Sequence, residues 1–183
     1  MRRYKKVAVG GTFDQLHLGH RALLKKAFEL GDLVLIGITT DEMVKALRKP
    51  HEAASYYERR RELEEFLRCQ NWHVRAQFYP LDDPYGPTLT KGDLNAIVVS
   101  KETEYTAKEI NQLRQNTGLN PLDIIVIDMV LAEDSIPIST TRIRSKEIDR
   151  EGRVLTLNRK QKVFSKVSHQ HKQQMFLAFG EMR

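Results

Sequence analysis

The sequence predicts an α/β protein: a Rossmann-like, doubly wound parallel sheet of about five strands with helices on both faces. Three observations carry that expectation. Aliphatic runs of strand length at 33–39 and 96–100 lack polar alternation, as strands covered on both faces do. Segments with helical apolar spacing fall between such runs, so crossover connections and a parallel sheet follow. The chain has 183 residues, 40% hydrophobic and 30% charged, which suits one folded domain of ordinary size.

The elements are taken in order. Residues 5–9 read as a short buried strand running into Gly10-Gly11. Leu23, Leu24, Ala27 and Phe28 recur at helical spacing within 18–30, and Gly31 supplies a stop. The aliphatic strand 33–39 and a short helix over 41–47 come next. Ser55 with Glu58 three residues on forms a capping box, opening a helix to about Cys69. Arg59, Arg60 and Arg61 lie in it near Glu62, Glu64 and Glu65, a pattern read as a solvated face paired at i,i+4. Residues 72–81 alternate like a strand and end in the turn-rich run 82–87. The strand 96–100 is followed by a helix over 103–116, which Gly118 ends. A last strand is expected at 124–130. Ser139 starts a final helix containing 141–148. Met43 and Trp72 are assigned to packing, and Cys69 is expected to be inert.

Charge divides the chain at about residue 152. The formal net charge is +6, from 30 Lys and Arg against 24 Asp and Glu. Residues 153–183 hold seven of the bases and one acid, Glu181, so residues 1–152 balance at 23 of each. The expectation is a neutral domain over 1–152 and a basic C-terminal tail over 153–183, helical or partly disordered, with any polyanion binding confined to the tail. A specific nucleic-acid partner is not expected, nor is a membrane, because no apolar run approaches the ~20 residues of a span. One cysteine excludes an intrachain disulfide and a multi-cysteine zinc site. His169 and His171, two apart, are poorly spaced for one helical face and are not read as a metal site. The basic N-terminus lacks the apolar stretch of a secretory signal, so the cytoplasm is the expected compartment.

Two constellations carry chemistry. The first, Gly10-Gly11-Thr12-Phe13-Asp14-Gln15-Leu16-His17-Leu18-Gly19-His20, joins a strand to a helix. Glycines permit close backbone approach to a ligand, and a helix start offers unpaired N–H groups and partial positive charge to phosphate. His17 and His20, three apart, share one helical face, and Gly19 between them keeps space for a nucleotide. The second, Ile138-Ser139-Thr140-Thr141-Arg142-Ile143-Arg144, offers three hydroxyls at a helix start and a forked cation. The hydroxyls alone also read as a helix cap.

The first segment resembles the signature of the HxGH nucleotidyltransferases, and the second is similar to that superfamily's Ile-Ser-Ser-Thr-x-x-Arg element, with Thr140 at the second serine. The runs 39–45, 57–60, 82–88, 99–103 and 127–134 are similar to the archaeal-type phosphopantetheine adenylyltransferases, and the resemblance covers roughly 5–155. It implies transfer of AMP from ATP onto 4′-phosphopantetheine, giving dephospho-coenzyme A and pyrophosphate. By the same resemblance His20 contacts the reacting phosphates, His17 helps hold the nucleotide, and Thr12 holds the acceptor phosphate.

Lys45 is the candidate lysine for that phosphate, with Lys49 as the alternative and a solvated helix lysine as the plain reading. Ser100 and Lys101, at a strand's carboxyl end, are placed to meet the nucleotide. Gly10, Gly11 and Gly19 would line ATP, and Ser139, Thr140, Thr141 and Arg144 its β- and γ-phosphates. Mg²⁺ is expected to travel with the nucleotide, without a cage of protein carboxylates. A monomer is favoured. Other acceptors (FMN, nicotinamide mononucleotide, glycerol phosphate) remain alternatives, as does a non-catalytic polyanion-binding protein. Ser135-Ile136-Pro137 stand where cytidylyltransferases usually carry Arg-Thr, which disfavours CTP.

Overall fold

The computed structural model describes residues 2–46 and 52–155. Five strands form one parallel sheet: β1 (Tyr4–Gly11), β2 (Gly31–Thr39), β3 (Ala76–Leu81), β4 (Ala96–Ser100) and β5 (Asp123–Ile127). The helices are α1 (Leu18–Leu30), α2 (Asp41–Ala46), α3 (Tyr56–Cys69), α4 (Glu104–Asn116) and α5 (Thr140–Arg144). Strand order is β3-β2-β1-β4-β5, so the chain winds outward one way from β1 and then the other from β4. The crevice beyond the carboxyl ends of β1 and β4 is therefore the topological switch point, where such sheets bind ligands. Gly11 and Ser100 end those two strands.

Successive residues of a strand point to opposite faces, and the central strands are buried on both. Val7, Val9, Val34, Ile36 and Val98 meet Leu24 and Phe28 of α1 and Leu63 and Leu67 of α3 on one side. Ala8, Leu35, Ile97 and Val99 meet Ala107 and Ile110 of α4 on the other. A third cluster, Ala132, Ile138 and Ile148, packs with Leu18, Ile143 and Val154. It pins the segment after β5 against the start of α1, which brings α5 beside the first motif.

Local signals set most boundaries. α1 runs from Leu18 to Leu30 and hands directly to β2 at Gly31, whose backbone is extended (φ −103°). A Cβ at Gly31 would come within 2.9 Å of the Leu33 carbonyl oxygen, so the tight hand-over requires glycine. At α3 the capping box forms with both reciprocal bonds, and the helix ends at Cys69. Gly118 adopts φ +76° and lets the Leu119 N–H reach the Arg114 carbonyl at 2.9 Å, closing α4. Trp72 packs as expected, stacked on Phe28 at 4.9 Å and edge-on to Phe66.

Four expectations are corrected. The strand expected over 72–81 begins at Ala76, because pairing with β2 starts at Val34 opposite Ala76 and His73–Arg75 form a single 3-10 turn. The strand expected over 124–130 spans Asp123–Ile127, because its partner β4 runs out at Ser100, opposite Ile127. The final helix is only Thr140–Arg144: Lys146 takes φ +56°, and the Glu147 N–H turns back to the Arg142 carbonyl. Arg59 is not on a solvated face but is 1% exposed, while Arg60 and Arg61 do pair with Glu64 and Glu65. Among the described residues, no helix is long and apolar enough to cross a membrane. Lys49, His169 and His171, and most of the expected tail (156–183), lie outside the described residues.

Candidate active site

The first motif makes a sharp, non-glycine turn. Phe13 and Gln15 both occupy the left-handed region, at φ 52° and 58°. Such conformations are uncommon outside glycine, so the surroundings must hold them. Phe13 is fully buried in the core, and Gln15 accepts a hydrogen bond at 3.1 Å from Arg150. This turn delivers His17 to the N-cap of α1, where no side chain caps the helix and no acid stands in the first turn. The Leu18 N–H donates to the Arg150 carbonyl at 3.1 Å, so only the N–H groups after it are left for an anion at the positive end of α1.

The two imidazoles stack on each other, centroids 3.8 Å apart and planes 22° from parallel, and Phe13 lies against His20 at 5.4 Å. His20 is therefore fixed between two rings. A Cβ on Gly19 would come within 3.1 Å of the His17 ring, so the glycine clears room for the stacked histidine itself. His17 is buried, and its Nδ1 has no hydrogen-bond partner among the described residues. Burial, with help from Arg21, pushes its pKa down to about 4. The ring is a neutral imidazole at physiological pH.

That shift predicts a pH dependence of stability. Between about pH 6.5 and 4 the unfolded chain binds a proton at His17 that the folded chain does not, so stability falls as pH falls through this window. A shift of that size corresponds to a loss on the order of 3 kcal/mol. Urea unfolding across the window should show the loss, and His17→Gln should remove it; an unchanged slope in the variant would contradict the assignment.

The second motif meets the first directly. Arg144 donates from Nε and Nη2 to the two Asp14 carboxylate oxygens at 2.7 and 2.8 Å, a forked pair. The Thr140 hydroxyl donates to the Asp14 carbonyl at 3.0 Å, so its proton goes to the first motif rather than to a ligand. Ser139 caps α5, accepting from the Arg142 N–H, and Thr141 is exposed. The Asp14 side chain also takes the Ala54 N–H at 3.1 Å. Both constellations therefore meet beyond the carboxyl end of β1. Ser100 ends β4 there with its hydroxyl 3.3 Å from that of Thr103, and Lys101 is paired to Glu104. Lys45 is exposed on the last turn of α2, just past the carboxyl end of β2.

A profile of the family described as Cytidylyltransferase-like matches residues 8–146, a span that includes both motifs. A phosphopantetheine adenylyltransferase of Methanothermobacter thermautotrophicus is 52% identical over 156 residues, covering 84% of this chain and 92% of its own. The chain belongs to this family. A phosphopantetheine adenylyltransferase of Methanopyrus kandleri is 48% identical over 147 residues, 80% of this chain and 92% of that one. A solved structure from Archaeoglobus fulgidus, described as a protein with unknown function, superposes with a TM-score of 0.61 at 34% identity, covering 67% of this chain and 89% of its own.

Within this family frame, the steric demands on the motif glycines are informative. A Cβ at Gly10 or Gly11 would meet nothing closer than 3.5 Å, and neither residue has positive φ. The protein itself does not require glycine there, whereas close approach of a ligand would. Two residues of the site escaped the sequence reading. Asp14 lies inside the first motif, where no spacing marks it as the hub of the contact between motifs. Arg59 shares a helical stripe with Leu63 and Leu67, at i+4 and i+8, and that spacing was the available signal of its burial.

Proposed function

We propose that this chain transfers AMP from ATP to the phosphate of 4′-phosphopantetheine, releasing pyrophosphate and forming dephospho-coenzyme A. The observation that carries the reading is the convergence of the two motifs through Asp14, at the crevice where the sheet reverses.

The acceptor's phosphate oxygen attacks the α-phosphorus of ATP in line, and the bond to pyrophosphate breaks. Such a transfer needs positioning and charge stabilisation rather than an activated side-chain nucleophile. Thr12 and Lys45 place the acceptor phosphate. His20, held between Phe13 and His17, donates to the α-phosphate as charge builds. Gly10, Gly11 and Gly19 let the nucleotide lie against the backbone beside His17 and Ser100. Ser139, Thr141 and Arg144 hold the departing pyrophosphate, and Thr140 fixes that segment to the first motif.

Mg²⁺ would arrive with ATP and lower the negative charge of its phosphates. Ser139, Thr141 and Arg144, the residues proposed for the pyrophosphate, are hydroxyl and guanidinium donors, which match phosphate oxygens, so the ion's ligands would be phosphate oxygens and water.

The test is pyrophosphate release from ATP with phosphopantetheine, FMN, nicotinamide mononucleotide and glycerol phosphate offered in parallel. Release with phosphopantetheine alone is expected. Release with another acceptor reassigns the substrate, and release with none overturns the enzyme reading.

A further inference from the structure

Arg59 is a fully buried cation that the reaction as derived above does not use. Its side chain is 0% exposed, whereas that of Asp41, the carboxylate it pairs with, is 40% exposed. Its donors converge on four acceptors from three pieces of chain. Nη1 reaches the Thr12 carbonyl at 2.8 Å and the Thr39 hydroxyl at 3.3 Å. Nη2 reaches Asp41 Oδ1 at 2.9 Å, and Nε the Ala54 carbonyl at 2.8 Å. Asp41 in turn accepts the Tyr56 N–H at 2.7 Å, which closes the loop back onto α3.

We propose that Arg59 is the positioning residue for the acceptor phosphate: one guanidinium locks the turn that carries Thr12 to the start of the helix that carries Lys45. This rests on the proposed function, and it deepens that reading by giving the acceptor side its own support, joined to the Asp14–Arg144 contact through Ala54, whose carbonyl accepts from Arg59 and whose N–H donates to Asp14.

The geometry makes the two ends interdependent. Thr12 follows β1, and Asp41 opens α2 just after β2; Gly11 and Ile38 are paired in register. The six described residues of α2 include none that is buried, so packing alone holds it weakly. A planar fork can bridge the Thr12 carbonyl and the Asp41 carboxylate at once, while a lysine, with one ammonium on a flexible stem, cannot match that geometry. A residue serving only the fold would, when altered, reduce the folded fraction and leave the remaining molecules kinetically normal. A positioning residue changes the kinetics of the folded molecules, on the acceptor side alone.

The experiment compares wild type, Arg59→Lys and Asp41→Asn. Asp41→Asn keeps an oxygen acceptor for Tyr56 but removes the charge, so it remains informative if Arg59→Lys fails to fold. For each, the measurements are the thermal midpoint, the Kd for ATP without acceptor, and kcat and KM for phosphopantetheine. Expected for folded Arg59→Lys is a rise of about tenfold or more in acceptor KM with ATP Kd within about twofold of wild type, ~10-fold being what 1.4 kcal/mol of lost positioning produces. Asp41→Asn should shift the same parameter in the same direction by less. Equal weakening of ATP and acceptor, or unchanged acceptor KM in both folded variants, overturns the proposal alone. A wild type that does not use phosphopantetheine overturns the proposed function and this inference with it.

Discussion

Replacing His20 by alanine is expected to lower kcat by about 10²–10³-fold while leaving KM for ATP nearly unchanged. The size follows from removing one preorganised donor aimed at developing charge, which costs about 2.7–4 kcal/mol of transition-state stabilisation. The expectation is strong because the ring is fixed before ATP arrives. His20 lies between Phe13, centroids 5.4 Å apart, and His17, 3.8 Å, so little reorganisation remains for the reaction itself. His17 is placed differently: it is buried at the N-cap of α1, and its ring is stacked on the one removed. The ground-state grip on ATP is spread over the α1 terminus and the second motif, so losing one imidazole should barely move KM. Steady-state kinetics with ATP and phosphopantetheine varied separately will check this. Turnover near wild type, or a loss carried wholly by KM, would remove His20 from the reacting phosphates.

What could be read in advance was whatever short-range chemistry specifies. The Ser55–Glu58 capping box, the apolar stripe Leu23, Leu24, Ala27 and Phe28, and the left-handed glycine after α4 are each written in a few consecutive residues, and each element formed as expected. Failures came where a distant partner decides. β5 ends where β4 stops offering hydrogen bonds, a fact held by Ser100 and invisible at Ile127. The last helix ends on a left-handed lysine, Lys146, with no glycine to announce it. Arg59 shows a different failure. Its place on the Leu63–Leu67 stripe was legible, but three arginines beside three glutamates read as solvent-facing, and a single sequence does not reveal four acceptors drawn from Thr12, Thr39, Asp41 and Ala54. The motifs themselves were legible as chemistry. Their meeting through Asp14 and Arg144, 130 residues apart, was not legible from spacing.

That meeting sets the second large expectation. Arg144→Ala should destabilise the fold by about 3–5 kcal/mol, because it strips a forked cation from a carboxylate whose side chain is only 2% exposed. Among the described residues the Ala54 N–H still reaches Asp14 Oδ1, and a neutral donor offsets only part of burying a charge. The Asp14 carboxylate also holds Arg144 in its charged state, which the raised Arg144 pKa reflects. Removing the carboxylate instead is the milder change, since Arg144, 27% exposed, can turn toward water. Asp14→Asn should therefore cost less than Arg144→Ala. The double variant should cost well under the sum of the two, because residues sharing one contact do not act additively. Urea unfolding of the four proteins supplies the cycle, and a coupling energy near zero would mean that the pair does not hold the motifs together. The same variants separate stability from ligand binding. At a temperature where all remain folded, Arg144→Ala should weaken pyrophosphate binding further than Asp14→Asn does, since only the former removes the cation that the leaving group meets.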